Sequence, residues 1–147
     1  MKSIFAALLA SAVLAAGVAG AQDGSKPAEP SADEAGTSPH LSDLMVQQQM
    51  RHIKLWFAGD ARNWALADYE LDHLKDGFGD IAQQHVGGAV SRLEKAIDAK
   101  DHGGFASAFD RLSAGCNACH GTLDHVFIVI QRPVLLPYSD QKFPPQR

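Results

Sequence analysis

The chain has 147 residues, of which 46% are hydrophobic, and a formal net charge of −4 at pH 7. This length and composition suit one globular domain. The acidic balance, with no cluster of Lys and Arg, excludes a protein that neutralises nucleic-acid phosphates and gives no reason to expect binding to an anionic membrane.

The N-terminus has the pattern of a secretory signal peptide. Lys2 is followed by an apolar run over residues 4–18, and this run closes on the small residues 19–21 before the polar Gln22. The run is shorter than the roughly 20 apolar residues that a membrane-spanning helix needs. We therefore predict a signal peptide at 1–21, export to the periplasm, and no membrane attachment after cleavage.

Residues 22–40 contain no aromatic and no large aliphatic side chain, and they are rich in Pro, Ser, Ala, Gly and charged residues. Such a stretch cannot bury enough apolar surface to offset the entropy that ordering it would cost. The composition predicts a disordered tether between the signal peptide and a domain at 41–147.

The sequence after residue 40 shows helical periodicity. The first predicted helix has Ser42 as its N-cap and ends at Gly59. The second begins at Asn63 and carries apolar residues at alternating spacings of three and four as far as His85.

The third predicted helix follows Gly87 and Gly88 and ends before Gly103. The fourth begins near Phe105 and has the most regular apolar stripe of the chain. The stripe consists of Phe105, Phe109, Leu112, Cys116, Cys119, Leu123, Val126 and Ile130. Short links and the lack of any long segment with strand periodicity predict an all-α fold, an antiparallel four-helix bundle with both cysteines on its core side.

The two cysteines of the chain lie in the sequence GCNACHG, at positions 116 and 119, and His120 follows directly. Four interpretations compete. A redox-active CxxC is typical of a helix N-terminus after a strand, where the helix dipole lowers the thiol pKa, whereas this pair lies within a helix. A zinc site needs a fourth ligand, and His125 stands at a spacing that matches no familiar zinc motif. Two core cysteines followed by a histidine by chance would rarely give this five-residue pattern.

The fourth interpretation is covalent haem c. Thiols at positions i and i+3 emerge from one helix face, so Cys116 and Cys119 can form thioether bonds with the two vinyl groups of one porphyrin. His120, four residues after Cys116, can reach the iron as its proximal axial ligand. Attachment needs reduced thiols outside the cytoplasm, in agreement with the predicted export. We therefore predict one covalent haem c with its iron.

This combination resembles the class II c-type cytochromes, the family of cytochrome c′ and its low-spin relatives, in which a CxxCH lies on the last helix of a secreted four-helix bundle. The resemblance covers residues from about 41 to 126 and carries over Cys116, Cys119 and His120. It implies haem c, a bundle fold, and either electron transfer or the binding of small diatomic gases. The chain departs from the family after the motif, where a long segment with four prolines follows.

The resemblance also implies that the distal face of the haem meets the first helix. His52 and Met45 are the candidate distal axial ligands, an open or water-filled site is the third option, and Met50 is a weaker candidate. His52 could instead form a hydrogen bond with a haem propionate or with a carboxylate such as Glu70. Trp56, one turn after His52, could lie against the macrocycle.

The prolines predict an extended Pro-rich C-terminal arm, from about residue 131, that lies across the bundle. Its apolar side chains would cover an edge of the haem or a neighbouring chain. They are Val134, Leu135, Leu136, Tyr138 and Phe143. These side chains and the wide apolar face of the first helix are compatible with a homodimer.

The features together predict a periplasmic monohaem c-type cytochrome that exchanges electrons with a redox partner protein and is not an enzyme. A gas-binding haem protein of the cytochrome c′ kind, taking up NO or CO, is the alternative. A haem-free interaction domain, with the motif as a thiol or metal site, is a third option. No nucleophile elbow, phosphate loop or isolated carboxylate pair points to an enzyme.

Overall fold

The computed structural model describes residues 40–146, so the predicted signal peptide and all but the last residue of the predicted tether lie outside the described residues. It contains four α-helices and, over residues 40–146, no strand. The helices are α1 (Leu41–Asp60), α2 (Trp64–Asp76), α3 (Asp80–Asp98) and α4 (His102–Thr122). The prediction of an all-α four-helix bundle is confirmed. None of these helices is long and apolar enough to cross a lipid bilayer.

The hydrophobic core lies where the four helices meet. Each helix contributes side chains that are fully buried, among them Leu55 of α1, Leu71 of α2, Leu93 of α3 and Phe109 of α4. Removing a side chain of this size from water stabilises the fold by roughly 1.5–3 kcal/mol. α3 packs most extensively on α4, and α1 on α2.

Aromatic rings join α1 to α4. The ring centroid of Trp56 lies 5.1 Å from that of Phe109 and 6.1 Å from that of Phe105. The ring of His52, one turn earlier on α1, lies 4.4 Å from Phe109. Aromatic pairs in such geometries contribute roughly 0.5–1.5 kcal/mol beyond their buried area. The rings therefore determine which residues of α1 face which residues of α4.

A buried ion pair joins α1 to α2. Glu70 is 1% exposed, and Nη1 of Arg51 donates a hydrogen bond to its carboxylate at 2.8 Å. The same hydrogen bond raises the pKa of the Arg51 guanidinium. Because an unpaired buried carboxylate would cost several kcal/mol, this pair restricts how α1 and α2 can slide along each other.

Three of the four helices end in the same backbone motif, in which the residue after the C-cap adopts the left-handed conformation. These residues are Arg62, Lys100 and Asp124, with φ of 56°, 54° and 58°. In each case the N–H of the next residue donates to the carbonyl five positions earlier, at 2.8 Å. Glycine is the commonest residue at this position, and here the chain uses none. The prediction that Gly59 ends α1 is therefore off by one residue, and the N-cap is His40, not Ser42.

The predicted boundary between the second and third helices is wrong. α2 ends at Asp76, with Gly77 as its C-cap, and α3 begins at Asp80 and continues through Gly87 and Gly88. A Cβ at Gly77 would lie 1.7 Å from the side-chain amide of Gln48, so a larger residue at this turn would require the Gln48 side chain to move. Because the helical spacing of apolar residues continues across this turn, the sequence pattern gave no sign of the helix boundary.

The predicted extent of the fourth helix is also wrong beyond Thr122. Asp124 turns the chain with its left-handed backbone, and the β-branched run that follows favours extended structure. Leu123 and Val126, which were expected on the core stripe, are exposed. The stripe therefore ends at Cys119.

Residues 123–146 contain no regular secondary structure. Phe143 is buried, its ring lies 6.0 Å from Phe57, and its carbonyl accepts a hydrogen bond from the side chain of Asn63 at 2.9 Å. The guanidinium of Arg132 lies 4.3 Å from the Trp56 ring and donates two hydrogen bonds to Asp110. These contacts attach the segment at Arg132 to α1 and α4, and at Phe143 to α1 and to the N-cap of α2.

Gly115, directly before Cys116, is where α4 comes closest to α3. A Cβ at this position would lie 2.6 Å from the backbone carbonyl oxygen of His85. A backbone atom cannot rotate away as a side chain can. Gly88, within α3, is exposed and has no atom within 4 Å of such a Cβ.

We expect Gly115→Ala to lower the free energy of unfolding by about 1–3 kcal/mol, because the added methyl group overpacks the α3–α4 contact. Gly88→Ala is the matched control and should raise it by about 0.5–1 kcal/mol, since alanine has the higher helix propensity. Urea unfolding of both variants measures the two changes. Equal effects of the two substitutions would contradict the close helix contact.

Candidate functional site

The two cysteines of the motif lie in the last turns of α4. Both are free and half-buried, and Cys116 packs against the core. Burial, and then the nearby Cys119, raise the pKa of the Cys116 thiol to about 11. At neutral pH Cys116 is therefore a thiol and not the thiolate that attacks a disulfide.

The imidazole ring of His120 makes one hydrogen bond within residues 40–146, and this bond determines its tautomer. Its Nδ1 lies 2.9 Å from the backbone carbonyl oxygen of Ile128. A carbonyl oxygen can only accept a hydrogen bond, so Nδ1 carries the proton and donates. In the neutral ring Nε2 then keeps its lone pair. This is the arrangement that a histidine needs to bind a metal through Nε2 while its other ring nitrogen is held by the protein.

The segment after α4 folds back onto the motif. The side chain of Asn117, the residue after Cys116, forms two hydrogen bonds with the backbone of Ile130. Its Nδ2 donates to the carbonyl oxygen at 2.8 Å, and its Oδ1 accepts from the N–H at 2.7 Å. The motif and residues 128–130 are therefore one local unit.

Apolar side chains of this segment are exposed beside the motif. Val126, Phe127 and Val129 are 71%, 77% and 71% exposed. Contiguous exposed apolar side chains of this kind typically mark a surface that another apolar group covers. Two free thiols, an imidazole with an available Nε2 and an adjacent apolar surface fit the chemistry of a covalently attached haem.

His52 is buried against α4. Its Nε2 lies 2.8 Å from Oγ of Ser113, and the Ser113 hydroxyl donates to the carbonyl oxygen of Phe109 at 3.2 Å. With the hydroxyl proton used in this way, Nε2 of His52 is the donor to Ser113. Burial lowers the pKa of His52 to about 4, so the ring is neutral near pH 7. The hydrogen-bond partner of His52 is therefore Ser113, whereas Glu70 pairs with Arg51.

The other two candidates on α1 lie in different surroundings. Met45 is half-buried, seven residues before His52. Trp56 is buried, with Phe105 and Phe109 packed on it and the guanidinium of Arg132 over its ring. Contact of either residue with a cofactor stays a prediction.

Over residues 40–146, no three His, Cys, Asp or Glu side chains are arranged so that they could hold one metal ion. A zinc site requires its ligands to converge on one point. A haem c would not need such a group, because the two cysteine sulfurs would bind the porphyrin and His120 would be the only side chain of the motif that binds the iron.

Two cavities lie away from the motif. One, of about 320 Å³, lies between α3 and α4 and is lined in part by Arg92, Lys95 and Arg111. The other, of about 260 Å³, lies between α1 and α2 beside Gln48, whose buried Oε1 has no hydrogen-bond partner within the described part of the chain. The cysteines and His120 line neither cavity.

The sequence interpretation missed Ser113 and Asn117. Ser113 could have been found, because it is a polar residue on the buried stripe of α4, one turn after Phe109. Asn117 carries no such signal. Its partner is the backbone of Ile130, and the sequence placed Ile130 within the same helix.

His52 makes stability depend on pH. Because its pKa is about 4 in the folded chain and about 6.5 in an unfolded one, the unfolded state takes up the proton first as the pH falls. Stability is therefore lost between about pH 6.5 and 4. Between pH 7.5 and pH 4.5 we expect the free energy of unfolding of the wild type to fall by about 2–3 kcal/mol more than that of His52→Leu.

Denaturant unfolding at the two pH values measures this difference. Ser113→Ala is the control, because it removes the hydrogen bond to His52 but keeps the buried imidazole. Its free energy of unfolding should fall between the two pH values by as much as that of the wild type. An equal loss in His52→Leu and the wild type would show that His52 is not the group that titrates.

No protein-family model, no curated protein and no solved structure matches this chain. The function is therefore inferred from the residues and their geometry.

Proposed function

We propose that the chain is a periplasmic monohaem c-type cytochrome in which Cys116 and Cys119 hold one haem and His120 binds its iron. The observation that supports the proposal is the Nδ1–H hydrogen bond from His120 to Ile128, which leaves Nε2 available on the residue that follows the second of two free cysteines. When bound, the haem iron supplies a one-electron change between its ferric and ferrous states. The chain carries electrons to or from a redox partner protein and catalyses no reaction of its own.

The attachment needs only what the two cysteines provide. Each sulfur would form a C–S bond with one vinyl carbon and the thiol hydrogen would end on the neighbouring carbon, so the addition would require no net oxidant. Cys116 is a thiol at neutral pH because burial raises its pKa. The predicted signal peptide would bring these thiols to the periplasm.

Two of the three other interpretations of the motif, the redox-active dithiol and the zinc site, have less support. A redox-active dithiol needs a lowered thiol pKa, and the pKa of Cys116 is raised. A zinc site needs four converging ligands, and the described residues offer no group of three.

The proposal includes an antiparallel order of α1 and α4. Trp56 contacts Phe105 and Phe109, whereas His52, earlier on α1, contacts Phe109 and Ser113, later on α4. Going backwards along α1, from Trp56 to His52, the contacts move forwards along α4, from Phe105 to Ser113. The two helices therefore run in opposite directions. The contacts of Arg132 and Phe143 in turn support a C-terminal arm that lies across the bundle.

This order favours Met45 over His52 as the distal ligand. Seven residues before His52 on α1 is Met45, and seven residues after Ser113 on α4 is His120. His52 is thus displaced from the level of His120 by about 10 Å along the helices, whereas Met45 lies near that level. The Nε2 of His52 is also already bound to Ser113. A Met–His pair of axial ligands favours electron transfer.

Covalent attachment is tested by extracting the purified protein with acidified acetone after export from cells that mature c-type cytochromes. We expect haem absorbance to stay with the precipitated wild-type chain and to be lost from the double variant Cys116→Ala, Cys119→Ala. His125→Ala, a control at an exposed histidine, should retain it. If extraction removes the haem from the wild type, the thioether bonds do not exist.

The distal ligand is tested by absorption spectra of the reduced protein with and without CO. We expect a low-spin wild type with little CO response, and a high-spin, CO-binding Met45→Ala variant. His52→Ala and the control Met50→Ala should resemble the wild type. A wild type that binds CO strongly would reject the electron carrier and support the gas-binding alternative.

A further inference from the structure

Three hydrogen bonds join side chains of the motif to the backbone of residues 128–130, and they lie on one side of each partner. Asn117 and His120 are three residues apart on α4, so their side chains share one face. Ile128 and Ile130 are two residues apart, so in an extended backbone their polar groups lie on one edge. The face of α4 bonds this edge at three points, at 2.9, 2.8 and 2.7 Å.

Hydrogen bonds and not burial hold this segment. Val126, Phe127 and Val129 are more than two-thirds exposed and contribute little packing. Two backbone hydrogen bonds stabilise the turn after α4. The N–H of His125 donates to the carbonyl of His120, and the N–H of Ile128 donates to the carbonyl of His125. Beyond that turn, Asn117 supplies two of the three hydrogen bonds that side chains of the motif make to residues 128–130, and Arg132, two residues later, binds Asp110 of α4.

We propose that Asn117 is a positioning residue for His120. By holding Ile130 it keeps the Ile128 carbonyl on Nδ1 of His120, and this contact decides which ring nitrogen is available to bind a metal. The effect on the tautomer requires no cofactor, whereas the effect on redox chemistry rests on the proposed function.

The redox consequence follows from the hydrogen bond. A carbonyl that accepts from Nδ1–H makes the ring a stronger electron donor through Nε2 and stabilises ferric iron. Without the Asn117 side chain, the Ile128 carbonyl is no longer held on Nδ1 of His120, and electron donation from Nε2 to the iron weakens. The reduction potential of the haem-loaded protein therefore rises.

The tautomer is measured on the purified full chain by long-range ¹H–¹⁵N correlation of the neutral His120 ring. We expect the Nδ1–H tautomer in the wild type and about a fivefold shift toward Nε2–H in Asn117→Ala, the factor for one hydrogen bond of average strength. Thr122→Ala is the matched control, because it removes a side-chain bond to the Cys119 carbonyl and leaves the segment untouched. A wild type in the Nε2–H form, or equal spectra for Asn117→Ala and Thr122→Ala, would overturn the proposal.

A second variant removes one of the two Asn117–Ile130 hydrogen bonds from the Ile130 side. Ile130→Pro lacks the N–H that Asn117 accepts and leaves α4 unaltered. It should shift the tautomer in the same direction, and the double variant should shift it less than the sum of the two singles. Strictly additive shifts would show that the two residues act independently and would overturn the proposal.

The haem-loaded protein gives the third measurement. Redox titration should show a higher potential for Asn117→Ala than for the wild type, and an unchanged potential for Thr122→Ala. An unchanged potential for Asn117→Ala would reject the redox consequence. If the wild type never acquires haem, the proposed function fails, and the tautomer still decides the role of Asn117.

Discussion

The stacking of α1 on α4 is the interaction on which the rest of the account depends. Trp56 packs on Phe105 and Phe109, and His52 packs on Phe109 one turn away. These rings, with the hydrogen bond from His52 to Ser113, fix the level of one helix against the other. A shift by one turn would separate a buried imidazole from its hydroxyl partner, at a cost of about 1–3 kcal/mol. These contacts, together with the packing of Cys116 against the core, set the level of the cysteines relative to α1.

The motif then acquires its chemistry from the way the chain leaves α4. Asp124 adopts the left-handed conformation, the chain reverses, and the Ile128 carbonyl arrives at Nδ1 of His120. One backbone carbonyl thereby leaves Nε2 as the available nitrogen of the neutral ring. The Cys116 thiol shows the opposite tendency to that of a redox-active cysteine, since burial raises its pKa. The proposed haem would bring its own redox chemistry to this motif.

The sequence predicted the helical class and the buried stripe of α4 from Phe105 to Cys119, because periodicity reports directly which side chains leave water. It could not predict where the helices end. Glycines were expected to end the first and third helices, and the fourth was expected to continue to Ile130, whereas Arg62, Lys100 and Asp124 follow the three helix ends in left-handed conformations. Gly87 and Gly88 were taken as a break although they lie within α3. Asn117 was missed for a similar reason, since a bond from a side chain to a distant backbone leaves no trace in residue type.

The most direct test of the central claim is the intact mass of the exported chain, measured by mass spectrometry under denaturing conditions that release every non-covalent ligand. The protein is produced in cells that attach haem to CxxCH motifs. We predict a single species heavier than the exported polypeptide by the mass of one haem. A mass equal to that of the polypeptide alone would contradict the assignment of Cys116, Cys119 and His120 to a haem site.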